Sequence, residues 1–193
     1  MTIEAIYDHL NQFSPITTEA WQDFMPLLEE KELPKNEMLV REGDRVRHCY
    51  LLTEGIVRVY YNKEGNEYNK TFFVSGTFPT PITALLTGEP CQLNFQALAN
   101  CRLFRFSYAG FRELFEKHRC FESLMLKIME LQWIKKEQHD IHMVTNDAAA
   151  NYAIFQKTYP GLEQLIPQYH IASYLGITPI QLSRIRAQMQ ETH

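Results

Sequence analysis

"HIASYLGITPIQLSRIRAQ", His170–Gln188, is the stretch on which the reading of this chain turns. Just upstream, Pro167 suits the first turn of a helix, where its missing N–H has no intrahelical partner to lose. His170–Leu175 continue that helix, and the small Ala172 lets a neighbouring helix approach closely. Gly176 supplies a turn, with Ile177 to pack beneath it. Thr178 is a good N-cap and Pro179 a good first residue for the next helix. Leu182 and Ile185 are expected to face inward, leaving Gln181, Ser183, Arg184 and Arg186 outward. Two short helices so joined form a helix-turn-helix, whose second helix enters the DNA major groove. There Arg bonds bidentately to guanine and Gln to adenine, while Thr178 and the free N–H groups at the helix start suit a phosphate. The predicted DNA contacts are therefore Thr178, Gln181, Ser183, Arg184 and Arg186. A plain helical hairpin with no DNA role competes with this reading. From Asn146 onward, Lys157, Arg184 and Arg186 are balanced by Asp147, Glu163 and Glu191, whereas DNA-binding domains are usually basic.

Immediately upstream, 108–143 contains no Gly beyond Gly110 and no Pro, and reads as one helix of ~50 Å. Apolar residues fall at Leu114, Phe121, Leu124, Ile128, Leu131, Ile134 and Ile141. So narrow a stripe on so long a helix suits pairing with a second copy of itself. This gives a predicted dimer interface of Phe121, Leu124, Ile128, Leu131, Ile134 and Ile141, with polar Gln138 and His142 setting register. The competing reading lays the helix on its own domain's core. Downstream, Pro160-Gly161 separates "NDAAANYAIFQKTY" from the closing helices.

Further upstream the pattern changes to short β-branched and aromatic runs between Gly43, Gly55, Gly65 and Gly76, spaced roughly every 10–12 residues, as in a β-sandwich or barrel. Ile56–Tyr61 and Tyr68–Val74 flank a Glu-Gly-Asn turn and read as a hairpin. Leu93, Phe95, Ala97 and Ala99 alternate with Asn94 and Gln96, the mark of a strand with one buried face. Residues 2–30 read as helical, with Thr17 or Thr18 capping the second segment.

Bulk composition fits one large domain or two small ones. The chain has 193 residues, 45% apolar and 22% charged, with a net charge of −4. The acidic balance argues against binding polyanions over the whole surface. No apolar run approaches the ~18 residues of a membrane span, and "MTIEAIYDHLNQF" lacks the features of a secretion signal, so a cytoplasmic protein is expected. Cys49, Cys91, Cys101 and Cys120 form no CxxC pair and give no support to a metal cluster.

The whole chain resembles the Crp/Fnr family of bacterial transcription regulators. The resemblance is carried by "REGDRVRHCYLLTEGIVRVYY", by "FQALANCRLFRFS" and most specifically by "IPQYHIASYLGITPIQLSRIR", which is similar to a Bacteroidetes-like subgroup. It implies an α+β fold: an N-terminal double-stranded, jelly-roll-like β-roll with flanking helices over 1–107, a long dimerisation helix over 108–143, and a small all-α helix-turn-helix domain over 144–193. It also implies a homodimer on promoter DNA, recognition helices about one turn (~34 Å) apart, and RNA polymerase as a further partner. The family continues into a β-hairpin wing; with the sequence ending at His193, that wing is expected to be missing or reduced. Where the family often carries an acidic residue on the recognition helix, this chain has Ile180, which suits a thymine methyl.

The cyclic-nucleotide pocket departs from the family pattern. Members that bind cyclic AMP use a Gly-Glu pair for the ribose and an Arg-Ser or Arg-Thr pair for the phosphate. Here Gly76 is followed by Thr77, and Cys91-Gln92 stand where the Arg pair belongs. No Arg or Lys lies between Gly76 and Cys101, and a buried phosphodiester without a cation costs several kcal/mol. The expectation is a degenerate effector pocket at Gly76, Thr77, Cys91 and Gln92 that does not bind cyclic AMP by the usual contacts and is packed, the alternative being a smaller apolar pocket lined by "TFPTPITALLTGEP". The sequence leaves the effector unspecified. No Cys precedes Cys49, which argues against the oxygen-sensing branch of the family.

Enzymatic readings find little support. A metal-binding cupin needs closely spaced histidines, but only His48 lies between Lys35 and Phe106. His139 and His142 share a helical face and are expected to be solvated rather than metal-bound. No Gly-rich phosphate loop and no nucleophile with a readable base occurs. No catalytic residue, metal or cofactor is expected. The alternative to a regulator is a β-roll sensor or interaction module that has lost DNA binding.

Overall fold

The computed structural model describes residues 1–191. Its elements run in the order α1 (Ile3–Asn11), α2 (Thr18–Phe24), β1 (Glu29–Leu33), β2 (Met38–Val40), β3 (His48–Glu54), β4 (Ile56–Lys63) and β5 (Asn66–Val74). There follow α3 (Ile82–Thr87), β6 (Asn94–Ala97), β7 (Cys101–Ser107), α4 (Tyr108–Glu113), α5 (Arg119–Thr145), α6 (Ala148–Thr158), α7 (Gln168–Tyr174) and α8 (Pro179–Glu191). They form two compact units. One comprises Met1–Val59 and Phe72–Trp133; the other comprises Tyr60–Thr71 and Ile134 onward.

The first unit is a jelly-roll-like β domain with helices. One sheet is β1-β7-β3 and the other β2-β6-β4-β5. Antiparallel pairing sets Glu29 opposite Arg105 and His48 opposite Ser107. Strands β3 and β7 are buried on both faces, which is why β3 reads as a continuous apolar run. Its Tyr50 and Leu52, with Cys101 and Leu103 of β7, join Val57, Val59, Phe95 and Ala97 in the core between the sheets. Its Cys49 and Leu51, with Phe104 and Phe106, pack instead against α1, α2, α4 and the start of α5. Phe24 is the centre of that second core, with ring centroids 5.0 Å from Phe106, 5.5 Å from Phe111 and 5.4 Å from Phe121. Burying each such side chain contributes ~1.5–3 kcal/mol.

Local chemistry explains most boundaries. Thr17, not Thr18, caps α2 by accepting from Ala20 N–H. The helix expected to reach residue 30 ends at Phe24: Pro26 tightens a 3₁₀ turn over Met25–Leu27, and β1 begins at Glu29 to pair with β7. The β4–β5 hairpin is longer than expected on both strands. Its two-residue loop places Glu64 at φ 56° and Gly65 at φ 84°, the doubly positive pattern that matches strand twist.

The expected single helix over 108–143 is broken. Helix α4 ends at Glu113, a 3₁₀ turn covers Leu114–Glu116, and α5 starts only at Arg119. His118 stands at the break, with Nε2 2.8 Å from Asp23 Oδ2. Helix α5 has 27 residues, so it is ~40 Å long rather than ~50 Å.

The second unit holds α6, α7, α8 and the end of α5, together with the tip of the β4–β5 hairpin. Asp147 caps α6 through Ala150 N–H, and Gly161 at φ 74° ends the connection that follows. Its core contains Tyr152, Phe155, Leu162, Ile171, Ala172 and Leu182.

Candidate nucleic-acid interface

Helix α7, the turn and helix α8 are built much as the residues suggest. Pro167 is the N-cap of α7, and His170, Ile171 and Ala172 are its buried face. Gly176 takes φ 68°, a left-handed conformation that favours glycine. Ile177 N–H donates to the Ala172 carbonyl at 3.0 Å and closes the turn. Leu182 is fully buried and anchors α8.

The outward face of α8 differs from the predicted set. Thr178 and Gln181 form a reciprocal capping box: Thr178 N–H donates to Gln181 Oε1 at 2.9 Å, and Gln181 N–H donates to Thr178 Oγ1 at 3.2 Å. Gln181 is exposed as expected, with its amide oxygen engaged in the helix cap. Arg186 is half-buried, and its charge reaches Tyr152, whose hydroxyl donates to Glu163. Burial first, then that bond, push the Tyr152 phenol up to about 12. Ser183 and Arg184 are exposed as expected, and Ile180 and Ala187 are exposed beside them. At 100° per residue these four share one face, opposite Leu182. Sequence reasoning singled out Ile180 as a departure from the family without including it among the contacts. Its position two residues before Leu182 is the signal that puts it outside.

The predicted dimer seam splits between two faces of α5. Phe121 is 0% exposed and Leu124 3% exposed, and both belong to the core of their own unit, with Ile128 packed against it. They are occupied within the monomer and are not an interface, which corrects that assignment. Leu131 is half-buried, whereas Ile134 and Ile141 are exposed. Leu126, Trp133 and Val144, absent from the predicted seam, are exposed at 61%, 67% and 87%. Spacings of seven and eighteen residues are close to whole numbers of turns, so these three form a line on the helix with Ile134 and Ile141 beside it. Polar His142 is half-buried and Gln138 exposed. His139 is not a solvated histidine: its Nδ1 lies 3.2 Å from Tyr174 Oη, and burial lowers its pKa.

Of the four predicted effector-pocket residues, Gly76 donates its N–H to the Leu52 carbonyl, and Gly76 O lies 2.7 Å from His9 Nε2 of α1. Thr77 bridges to Leu52, and its hydroxyl donates to the Val74 carbonyl. Cys91 is buried in the core between the sheets; its N–H donates to the Asp44 carbonyl and its thiol to the Leu93 carbonyl. Gln92 is exposed. Among the described residues the buried arginine is Arg58 of β4, which grips Gln96 Oε1 through Nε at 2.8 Å and Nη2 at 2.6 Å. Its neighbours Val57 and Val59 point into the roll, so strand alternation turns Arg58 to the other face. A hollow of about 250 Å³ lies beside the β2–β3 connection, lined by residues including Arg45, Arg47 and His48. It includes none of the four.

All four cysteines are free, and burial pushes the Cys49 thiol up to about 12. Among the described residues no group of three or more His, Cys, Asp or Glu is placed to hold a metal. No helix there is long and apolar enough to cross a membrane.

Comparison with known proteins agrees with this architecture. Residues 30–118, a little under half of the chain, match the cyclic nucleotide-binding domain family. No curated protein matches the sequence. Among solved structures, FixK2 from Bradyrhizobium japonicum superposes with a TM-score of 0.73 at 16% identity, covering 86% of this chain and 85% of its own. The c-di-GMP-responsive global regulator CLP from Xanthomonas campestris gives 0.68 at 14% identity, over 91% of this chain and 93% of its own. The catabolite activator protein from Thermus thermophilus gives 0.57 at 17% identity, over 95% and 87%. At such identities the likeness is one of fold. Residues 30–118 are thus similar to the cyclic nucleotide-binding domain family, and the chain shares its fold with FixK2 and the Thermus thermophilus catabolite activator protein.

Proposed function

We propose that this protein is a homodimeric, DNA-binding transcription regulator of the Crp/Fnr type whose effector domain does not bind cyclic AMP by the usual contacts. The observation that carries this reading is α8 itself. A capped, thirteen-residue helix is anchored by Leu182 and shows Ile180, Ser183, Arg184 and Ala187 to solvent behind a tight turn from α7. Arg184 is the base-reading residue, Ser183 bonds a phosphate or base, and Ile180 meets a thymine methyl. The N-terminal amides of α8 hold a phosphate beside the Thr178 cap. Arg186 supports from its half-buried position.

The dimer forms through the exposed line on α5, by Leu126, Trp133, Ile134, Ile141 and Val144. Its partners are promoter double-stranded DNA, a second copy of the chain and RNA polymerase; the protein is cytoplasmic, not an enzyme, and holds no metal. The roll interior is supported as a packed core by the apolar contacts of Tyr50, Leu52, Val57, Cys91, Phe95 and Leu103. Among the described residues, the side chains packed in that core are uncharged, so a phosphodiester placed among them lacks a cationic partner.

Selection of bound fragments from a random duplex library tests the central reading. A regulator enriches a palindrome with half-sites about one helical turn apart, ~10 bp, and its affinity falls with salt. A library that emerges unenriched points to the alternative, a β-roll sensor or interaction module without DNA binding.

A further inference from the structure

The connection from β2 to β3 is pinned along its length. Asp44 turns it, with Oδ2 accepting from Arg41 N–H at 2.8 Å, and Gly43 takes φ 90°. The segment after α3 grips it. Gly43 N–H donates to the Cys91 carbonyl at 2.7 Å, Cys91 N–H donates to the Asp44 carbonyl at 2.9 Å, and Glu42 N–H donates to Asn94 Oδ1 at 3.1 Å. At the far end, the Arg47 carbonyl accepts from Tyr108 N–H at 3.0 Å. The hollow of about 250 Å³ lies against this pinned segment, wholly within the first unit. Leu39, Val40 and Val46 give it an apolar wall that is continuous with the core between the sheets. The charged groups on its lining are Asp44, Arg45 and Arg47, with His48 beside them. His48 stands two residues before Tyr50 and so shares its face of β3. Among the described residues neither arginine makes an ion pair. Arg45 Nη1 reaches the Gly88 carbonyl at 3.4 Å, longer than the usual range for such a bond. Two guanidinium charges thus face one carboxylate, a surplus of one positive charge before any proton on His48 is counted.

We propose that this hollow is a binding site for a small organic acid, a molecule with one carboxylate and a short apolar body. Arg45 and Arg47 take the carboxylate, whose two oxygens match the fork of guanidinium donors. His48 offers a further N–H. The apolar body lies on Leu39, Val40 and Val46. A single negative charge balances the surplus on the lining. A dianion such as phosphate leaves one charge facing Asp44 and nothing to cover the apolar wall. The volume falls below the ~300–1,000 Å³ of sites that enclose drug-sized ligands, so the acid is smaller than those. The backbone of the segment is fixed in advance, so binding orders little beyond the two arginine side chains. The site is independent of the DNA-binding reading, and Cys91 enters it only through its backbone bonds to the pinned segment.

Titration of the isotope-labelled whole chain with hexanoate and with benzoate, followed by amide NMR, tests this. At least one of the two acids should shift the Asp44–His48 amides saturably and leave the Ala148–Thr158 amides of α6 in place. Hexanamide and benzamide, which keep the apolar bodies and lose the charge, should bind about tenfold or more weakly than the matching acid, and so should inorganic phosphate. Arg45→Gln and Arg47→Gln should each weaken the acid about tenfold or more at an unchanged melting temperature. Arg41→Gln, in the same segment but off the lining, should bind as wild type does. Shifts from neither acid overturn the site. An amide that binds as well as its acid, or arginine variants that bind as wild type, overturn the part given to the two guanidiniums and with it the proposal. Phosphate binding more tightly than both acids overturns the ligand class. Should Arg47→Gln lower the melting temperature, Arg45→Gln decides alone.

Discussion

Arg184 and Gln181 are three residues apart on α8 and have opposite fates. Arg184 extends into solvent with no structural duty in the second unit's core, so Arg184→Ala should leave thermal stability unchanged and weaken specific binding by ~1–3 kcal/mol. The loss should be confined to one base position of the selected site. Gln181 closes the cap, and Gln181→Ala should lower the melting temperature while leaving the base preference as it was. Removing its partner in the box, Thr178→Ala, should cost ~1 kcal/mol of stability, read by denaturant unfolding. A second residue-scale prediction concerns Asp23. The hydrogen bond from His118 is the main reason its carboxyl is held below the ordinary 3.8. A carboxylate depressed in the folded state stabilises above its unfolded pKa and ceases to as pH falls through the folded value. The melting-temperature difference between wild type and Asp23→Asn should therefore be present at neutral pH and shrink as pH falls below 3.8. A difference that grows on acidification would contradict this.

At the scale of the element, α5 is the instructive case. Its first turns are core and its exposed line is not, so substitutions on the two faces should separate stability from assembly. Phe121→Ala should cost ~3–5 kcal/mol in denaturant unfolding. The pair Trp133→Asp and Ile141→Asp should keep the melting temperature near wild type and yield monomers in sedimentation. Dimers surviving that pair would remove the α5 line as the interface. The helix hid this division from a sequence reading because apolar residues occupy both faces. Leu126, Trp133 and Val144 lie outside the stripe that steps of three and four pick out from Phe121, so the exposed line leaves no mark in that spacing. The break at Lys117–His118 was equally hard to foresee. No Gly or Pro marks it, and the His118–Asp23 contact spans 95 residues.

For the whole molecule, the proposal that the β-roll does not bind cyclic nucleotides by the usual contacts makes the sharpest prediction. Calorimetry with cyclic AMP and cyclic GMP should give no binding heat, and a micromolar response would show that the phosphate finds a cation elsewhere. The two compact units also carry a lesson about domain order. A linear division at 107 and 143 leaves the hairpin in the β domain, whereas Tyr60–Thr71 groups with the C-terminal helices.

The sequence by itself determined the hairpin turn at Glu64-Gly65, the alternation of Phe95 and Ala97, the Thr178 cap and the short turn at Gly176. Each follows from backbone preference or spacing within a few residues. Ser183 and Arg184 were legible for the same reason. Only the tertiary structure decided that Phe121 and Leu124 are core, that β3 is buried on both faces, and that Asn69 meets His170 and Ser173. Those outcomes depend on which distant segment supplies the opposite surface, and burial and pairing between remote residues leave no periodic trace along the chain.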